Sequence, residues 1–170
     1  MLKIRALTIQ AVRSHLAHSG YLEVDTPLLS PTLIPESHLE VFETRFAHPD
    51  RESRPLYLIP SPEIWIKRLL AEGAGNLFQL GKSFRNGESL GRLHEPEFTM
   101  LEYYTVDAGY MESIEVTERL VRALLDATGE AAAAYRVARG LEPVAPALET
   151  PFERISVSEA FERFGGVSAR

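Results

Sequence analysis

Phe84-Arg85-Asn86-Gly87-Glu88-Ser89-Leu90-Gly91-Arg92-Leu93-His94-Glu95-Pro96-Glu97-Phe98-Thr99-Met100-Leu101-Glu102-Tyr103-Tyr104 is the stretch on which the reading of this chain turns. Residues 77–84 and 97–106 read as two long strands, and the polar, glycine-containing segment 86–96 joins them, so an antiparallel pair is the natural expectation. The first strand ends in an arginine, the loop carries a second arginine and a histidine, and the return strand opens on a phenylalanine. Guanidinium groups hold phosphate oxygens through parallel charge-assisted hydrogen bonds, and a phenylalanine face beside them could stack on a purine. Along the return strand a period of two puts Phe98, Met100, Glu102 and Tyr104 on one face. An aromatic platform, a carboxylate and a phenol in series make an odd set for a buried core. On chemistry alone the alternative stays open: loop arginines and glutamates are usually solvated, and Phe98 with Met100 could be core.

Working outward, Ser61-Pro62-Glu63 reads as a helix start, with a hydroxyl at the N-cap, proline in the first turn and a carboxylate at the positive end of the dipole. That helix should run to about residue 72 and stop at Gly73-Ala74-Gly75. Glu63 could cap its own backbone or receive a ligand's ammonium, and capping is the commoner use of such a residue. Upstream, residues 2–18 read as an amphipathic helix with Ala6, Ile9, Val12 and Leu16 on one stripe and Gly20 as its stop. Residues 21–25 alternate like a strand, and Pro27, Pro31 and Pro35 keep the next stretch in loop. Residues 41–46 and 56–59 are short strand candidates separated by a polar turn over 48–55. Downstream, residues 111–127 read as a second amphipathic helix carrying Ile114, Val121, Leu124 and Leu125. Residues 152–155 suggest a short strand, followed by a capping-box helix on Ser156 and Glu159. The alanine-rich and proline-bearing stretch 130–151 gives no clear pattern.

Composition sets the outer bounds. The chain has 170 residues, enough for one domain with a real core. No apolar run approaches the roughly 18 residues of a membrane span, and residues 1–13 lack the apolar region and cleavage site of a secretory signal. With no cysteine, disulfides, thiolate metal sites and thiol catalysis are excluded, which suits a reducing cytoplasm. A formal charge of -6, with only a modest cationic cluster at Lys82, Arg85 and Arg92, argues mildly against nucleic acid as the main partner.

The same residues carry a family resemblance. Phe84-Arg85 with Glu88, then His94-Glu95-Pro96-Glu97-Phe98-Thr99-Met100-Leu101-Glu102, resembles motif 2 of class II aminoacyl-tRNA synthetases in its lysine-specific form. Gly20-Tyr21-Leu22-Glu23-Val24-Asp25-Thr26-Pro27 resembles the end of motif 1, the helix and strand that form the homodimer interface in that class. Phe42-Glu43-Thr44-Arg45-Phe46, Ser61-Pro62-Glu63, Lys67-Arg68-Leu69-Leu70 and Phe78-Gln79-Leu80 are most similar to the truncated lysyl-tRNA-synthetase paralogues that ligate (R)-β-lysine to elongation factor P.

The resemblance implies an α+β fold, an antiparallel sheet flanked by helices, in one partial catalytic domain over 1–170 with motif 1 at about 5–27 and motif 2 at about 77–104. It implies ATP with Mg2+, a lysine-like amino acid, and an aminoacyl-adenylate intermediate. By the same resemblance Arg85 would grip the α-phosphate and stabilise the transition state, Glu88 would read the adenine amino group, His94 and Arg92 would reach the outer phosphates, and Phe98 would stack on the base. Ser61, Pro62 and Glu63 would line the amino acid site, with Glu63 pairing with the ammonium; Tyr104 would bond the side-chain amine, and Glu102 would share that pocket. No side chain is expected to ligate metal. This sequence departs from the family at two places. The motif 2 loop is one residue longer, so Gly87 occupies the usual glutamate position, and Glu95 stands where the family has asparagine.

The glycine-rich motif 3 with its arginine does not occur within the 170 residues, so little or no adenylation is expected from this polypeptide by itself. The leading expectation is ligation to elongation factor P, with tRNA a less favoured acceptor, because the catalytic segment starts near Met1 and the charge balance is acidic. The catalytic domain of a lysyl-tRNA synthetase and a non-catalytic dimeric scaffold remain as alternatives.

Overall fold

The computed structural model describes residues 1–36, 38–87, 91, 93–143 and 151–167. In chain order the elements are α1 (Leu2–His18), β1 (Leu22–Glu23), β2 (Leu29–Ser30), β3 (Glu43–His48), β4 (Arg51–Leu58), α2 (Glu63–Ala71), β5 (Leu77–Phe84), β6 (Glu97–Tyr104), α3 (Tyr110–Val137) and α4 (Val157–Ala160), the last running into a π-helical turn over Phe161–Gly165. The strands form two three-stranded sheets, ordered β1-β5-β6 and β2-β4-β3. Helices and sheets are mixed as expected for an α+β protein. No described helix is long and apolar enough to cross a membrane.

β5 and β6 pair antiparallel in unbroken register from Leu77↔Tyr104 to Phe84↔Glu97, as the sequence suggests. The central sheet is nevertheless not wholly antiparallel, because β1 runs parallel to β5 through Leu22↔Leu77 and Glu23↔Phe78. The second sheet and α2 lie between β1 and β5 in the chain, and a crossover of that length permits parallel pairing where a tight turn would not.

Alternation along β5 and β6 sorts the side chains between two faces. Phe78, Leu80, Leu101 and Tyr103 face the helix layer, packing with Val12 and Leu16 of α1 and Val116 and Leu120 of α3. Tyr21 meets Tyr103 edge to face, with centroids 6.1 Å apart, and its hydroxyl bonds Thr105 at 2.6 Å. α1 ends where the sequence indicates, with Gly20 at φ +84.

Other boundaries differ from expectation. α3 continues ten residues past 127, because alanine is the best helix former and one glycine at 129 costs only about 1 kcal/mol. The buried stripe of α3 is Val116, Glu118 and Leu120, whereas Ile114 is 41% exposed. The proposed turn over 48–55 shrinks to residues 49–50, and β4 takes up the rest. Pro55 is tolerated inside β4 because β2 pairs only with Tyr57 and Leu58, leaving β4 an edge at that point. Residues 152–155 form no strand. The Phe152 amide donates to the buried Glu118 carboxylate at 3.3 Å, and Arg154 lies 3.9 Å from it, so this segment is pinned to α3 instead. The capping box at Ser156 and Glu159 is present in both directions.

Phe78 is fully buried between α1, α3 and the sheet. Phe78→Ala is expected to cost about 3–5 kcal/mol of unfolding free energy in a denaturant titration. A loss below about 1 kcal/mol would show that this face is not the main core.

Candidate functional site

The opposite face of β5–β6 carries the polar set. In antiparallel register Gln79 stands across from Glu102, Gly81 from Met100 and Ser83 from Phe98, and residues directly opposite share a face. The Gln79 side chain lies over Gly81, 3.2 Å from where a Cβ would stand. Gln79 is buried and accepts both the backbone amide (3.1 Å) and the hydroxyl (2.8 Å) of Thr26, tying the segment after β1 to the sheet.

At one end of the face, Arg85 follows β5 and is anchored by its backbone amide donating to the Pro96 carbonyl at 3.0 Å. Its guanidinium carbon lies 5.3 Å from the centroid of the Phe98 ring. The two side chains are thus on one side of the sheet, as a joint nucleotide site requires. Such a cation–π contact is worth about 0.5–1 kcal/mol when exposed and more when water is excluded. The Asn86 amide donates to the Glu40 carbonyl at 2.9 Å, which bridges the start of the loop to the segment before β3.

Gly87 has φ +71, and a Cβ there would lie 2.8 Å from a carboxylate oxygen of Glu40. A side chain at 87 would have to strain the backbone and displace Glu40 at once. His94 is exposed in the segment leading into β6. Glu88 and Arg92 lie outside the described residues.

The other end holds the carboxyl groups. The Ser61 hydroxyl donates to Glu102 and accepts the Glu63 amide at 3.0 Å. Ser61 therefore sits one residue before the observed N-cap, Pro62, and links the start of α2 to the middle of β6. Pro62 is buried beneath this junction. Tyr104 donates its hydroxyl to the second Glu102 oxygen at 3.2 Å. Burial, followed by the charges of Glu102 and Glu63 and the hydrogen bond to Glu102, raises the Tyr104 phenol well above its ordinary range. It remains a neutral donor throughout the physiological range. Glu63 does not cap its own helix with its carboxylate, which is paired with the ammonium of Lys67 one turn on. The hydrogen bond and charge of Glu63, with a further contribution from Glu102, raise the pKa of that ammonium.

The structure therefore brings the sequence-derived residues into two groups on one surface: Arg85 with Phe98, and Ser61, Glu63, Glu102 and Tyr104 together. Phe98 and Glu102 are four residues apart on one strand, a span of about 13 Å. The chemistry available is a cation beside an aromatic plane at one end and hydrogen-bonded carboxyl groups at the other.

Sequence reasoning missed three participants. Lys67 was readable in principle, since Glu63 and Lys67 have the i,i+4 spacing of a helical ion pair. Glu40 and Gln79 carry no local signal, because only strand pairing brings them to the site. Among the described residues no cluster of three or more His, Asp or Glu side chains is placed to hold a metal ion.

Comparison with known proteins identifies the family. The profile of the tRNA synthetases class II (D, K and N) matches residues 1–169. The chain is 42% identical over 125 residues to the elongation factor P–(R)-β-lysine ligase of Vibrio vulnificus (strain YJ016), covering 73% of this chain and 38% of that protein. It is 41% identical over 135 residues to the proteins of that name from Yersinia enterocolitica (serotype O:8 / biotype 1B) and Yersinia pestis (strain Pestoides F), covering 79% of this chain and 41% of each. The chain spans about two-fifths of the length of these curated relatives. With the family profile covering nearly every residue, the chain belongs to the class II tRNA synthetases of the D, K and N group.

Proposed function

We propose that this chain contributes the site at which ATP and a lysine-like amino acid are joined as an aminoacyl-adenylate, and that the activated acyl group passes to a lysine of translation elongation factor P. The observation that carries the reading is the Arg85 guanidinium carbon lying over Phe98, 5.3 Å from its centroid, on the same sheet face as Glu102 and Tyr104. The names of the relatives support the acceptor and the amino acid class.

In this reading Phe98 carries the adenine ring and Arg85 faces the α-phosphate. A carboxylate oxygen of the amino acid attacks the α-phosphorus, forming an O–P bond as the bridging bond to the β-phosphate breaks and pyrophosphate leaves. Negative charge grows on oxygens that face the Arg85 guanidinium, which stabilises the transition state. The acceptor amine then attacks the acyl carbon, an amide forms, a proton is lost from nitrogen, and AMP departs. No protein nucleophile is needed; orientation along the strand carries much of the rate. Glu63 and Glu102 receive the ammonium groups of the substrate, with Tyr104 and Ser61 fixing the Glu102 carboxylate.

Glu88, Arg92 and His94 complete the nucleotide side. The described residues supply no ligand set for Mg2+, so the ion would arrive with the ATP phosphates, and no step here depends on a protein–metal contact. A homodimer through α1 and β1 belongs to the same proposal.

Pyrophosphate exchange on the intact gene product tests the reaction. Exchange should be stronger with (R)-β-lysine than with L-lysine, and transfer should go to elongation factor P. Preference for L-lysine together with tRNA charging would identify a lysyl-tRNA synthetase instead, and no exchange with either would leave a scaffold. Arg85→Ala should lower exchange about 10²–10³-fold with an unchanged melting profile; retained activity would remove Arg85 from the reaction. Tyr104→Phe should raise the KM for the amino acid about tenfold or more and leave that for ATP unchanged, as loss of a hydrogen bond to a charged group predicts. A matching rise for ATP would place Tyr104 elsewhere.

A further inference from the structure

The proposed amino acid site already holds a cation. Lys67 is on α2 one turn beyond Glu63, and its ammonium is paired with the very carboxylate assigned to the incoming ammonium. Lys67 is not a remote surface partner. Glu63 is joined through Ser61 to Glu102, since the Ser61 hydroxyl accepts from the Glu63 amide and donates to the Glu102 carboxylate. The ammonium also feels the charge of Glu102. The Glu63 carboxylate is thus paired with a resident ammonium while Glu102 adds a weaker attraction from farther off, and a lysine-like substrate brings two ammonium groups of its own.

We infer that Lys67 is the resident counter-cation of the amino acid site, and that substrate binding is an exchange in which an ammonium of the amino acid displaces Lys67 from Glu63. The inference rests on the assignment of Glu63 to the substrate's ammonium. Its physical content is simple. While Lys67 stays on Glu63, the site carries one negative charge fewer than a diamino ligand needs. Once Lys67 swings into water, two carboxylates meet two ammonium groups.

The exchange costs little, because both partners are partly solvated: the side chains of Lys67 and Glu63 are 60% and 37% exposed. Exposed ion pairs of this kind contribute little to stability. Lys67 therefore compensates the charge of Glu63 and yields readily to a ligand that can replace it. Lys67 is a specificity-determining residue in this account, acting on binding and not on the reacting atoms.

Titration calorimetry of (R)-β-lysine and of L-lysine against the purified protein, without ATP, tests the exchange. Lys67→Met should bind the amino acid about 2- to 5-fold more tightly than the unsubstituted protein. That gain should shrink between about 50 and 300 mM salt as the charges are screened. Lys67→Arg keeps the charge and should show no such gain. Glu63→Gln serves as the test of the underlying site and should weaken binding at least tenfold.

If Glu63→Gln binds normally, the amino acid site is misassigned and the exchange falls with it. If Glu63→Gln is weak but Lys67→Met binds no tighter than the unsubstituted protein, the exchange alone is overturned. An equal gain in Lys67→Arg would also overturn it, by showing that charge is not the cause.

Discussion

The unbroken antiparallel pairing of β5 with β6 is the constraint from which the rest of the molecule follows. A period of two along paired strands commits each side chain to one of two faces, and a slip of one residue would exchange them wholesale. In this register Phe78, Leu80, Leu101 and Tyr103 are delivered to α1 and α3, while Phe98, Glu102 and Tyr104 are delivered to the side where α2 begins. Core and site are therefore specified by one pairing. The fully buried Phe78 holds the register that also sets Phe98 beneath Arg85.

Each end of the polar face is stabilised by a different kind of interaction. At the loop end, the Arg85 amide donates to the Pro96 carbonyl and its guanidinium lies over the Phe98 ring. At the other end, Glu102 is held by two hydroxyl donors, Ser61 and Tyr104, from different elements. The partners of Glu102 are neutral donors, whereas Glu63 has its charge compensated by Lys67. The two carboxyl groups are thus electrostatically unequal, although both lie beside the same serine.

Much of this was readable in the order of residues. The strand pair, the helix at 2–18, the shared face of Phe98, Glu102 and Tyr104, and the capping box at Ser156 all follow from periodicities and caps that act over a few residues. The parallel partnership of β1, the reach of β4 through Pro55 and the extra turns of α3 did not, because each depends on what lies alongside in space or on the weak stopping power of a lone glycine. The site shows the same division. Arg85 and Phe98 could be paired from the hairpin alone, but Glu40 reaches Gly87 only through a bridge across about 46 residues of chain. A glycine suits position 87, since Glu40 fills the space a side chain there would need.

The central claim is that Arg85 and Phe98 jointly seat a nucleotide, and a crystal structure of the protein with a non-hydrolysable ATP analogue tests it most directly. The account predicts the adenine ring lying flat against Phe98, with the α-phosphate within hydrogen-bond reach of the Arg85 guanidinium. An analogue bound elsewhere, or bound with its base away from Phe98 while Arg85 makes no phosphate contact, would contradict it.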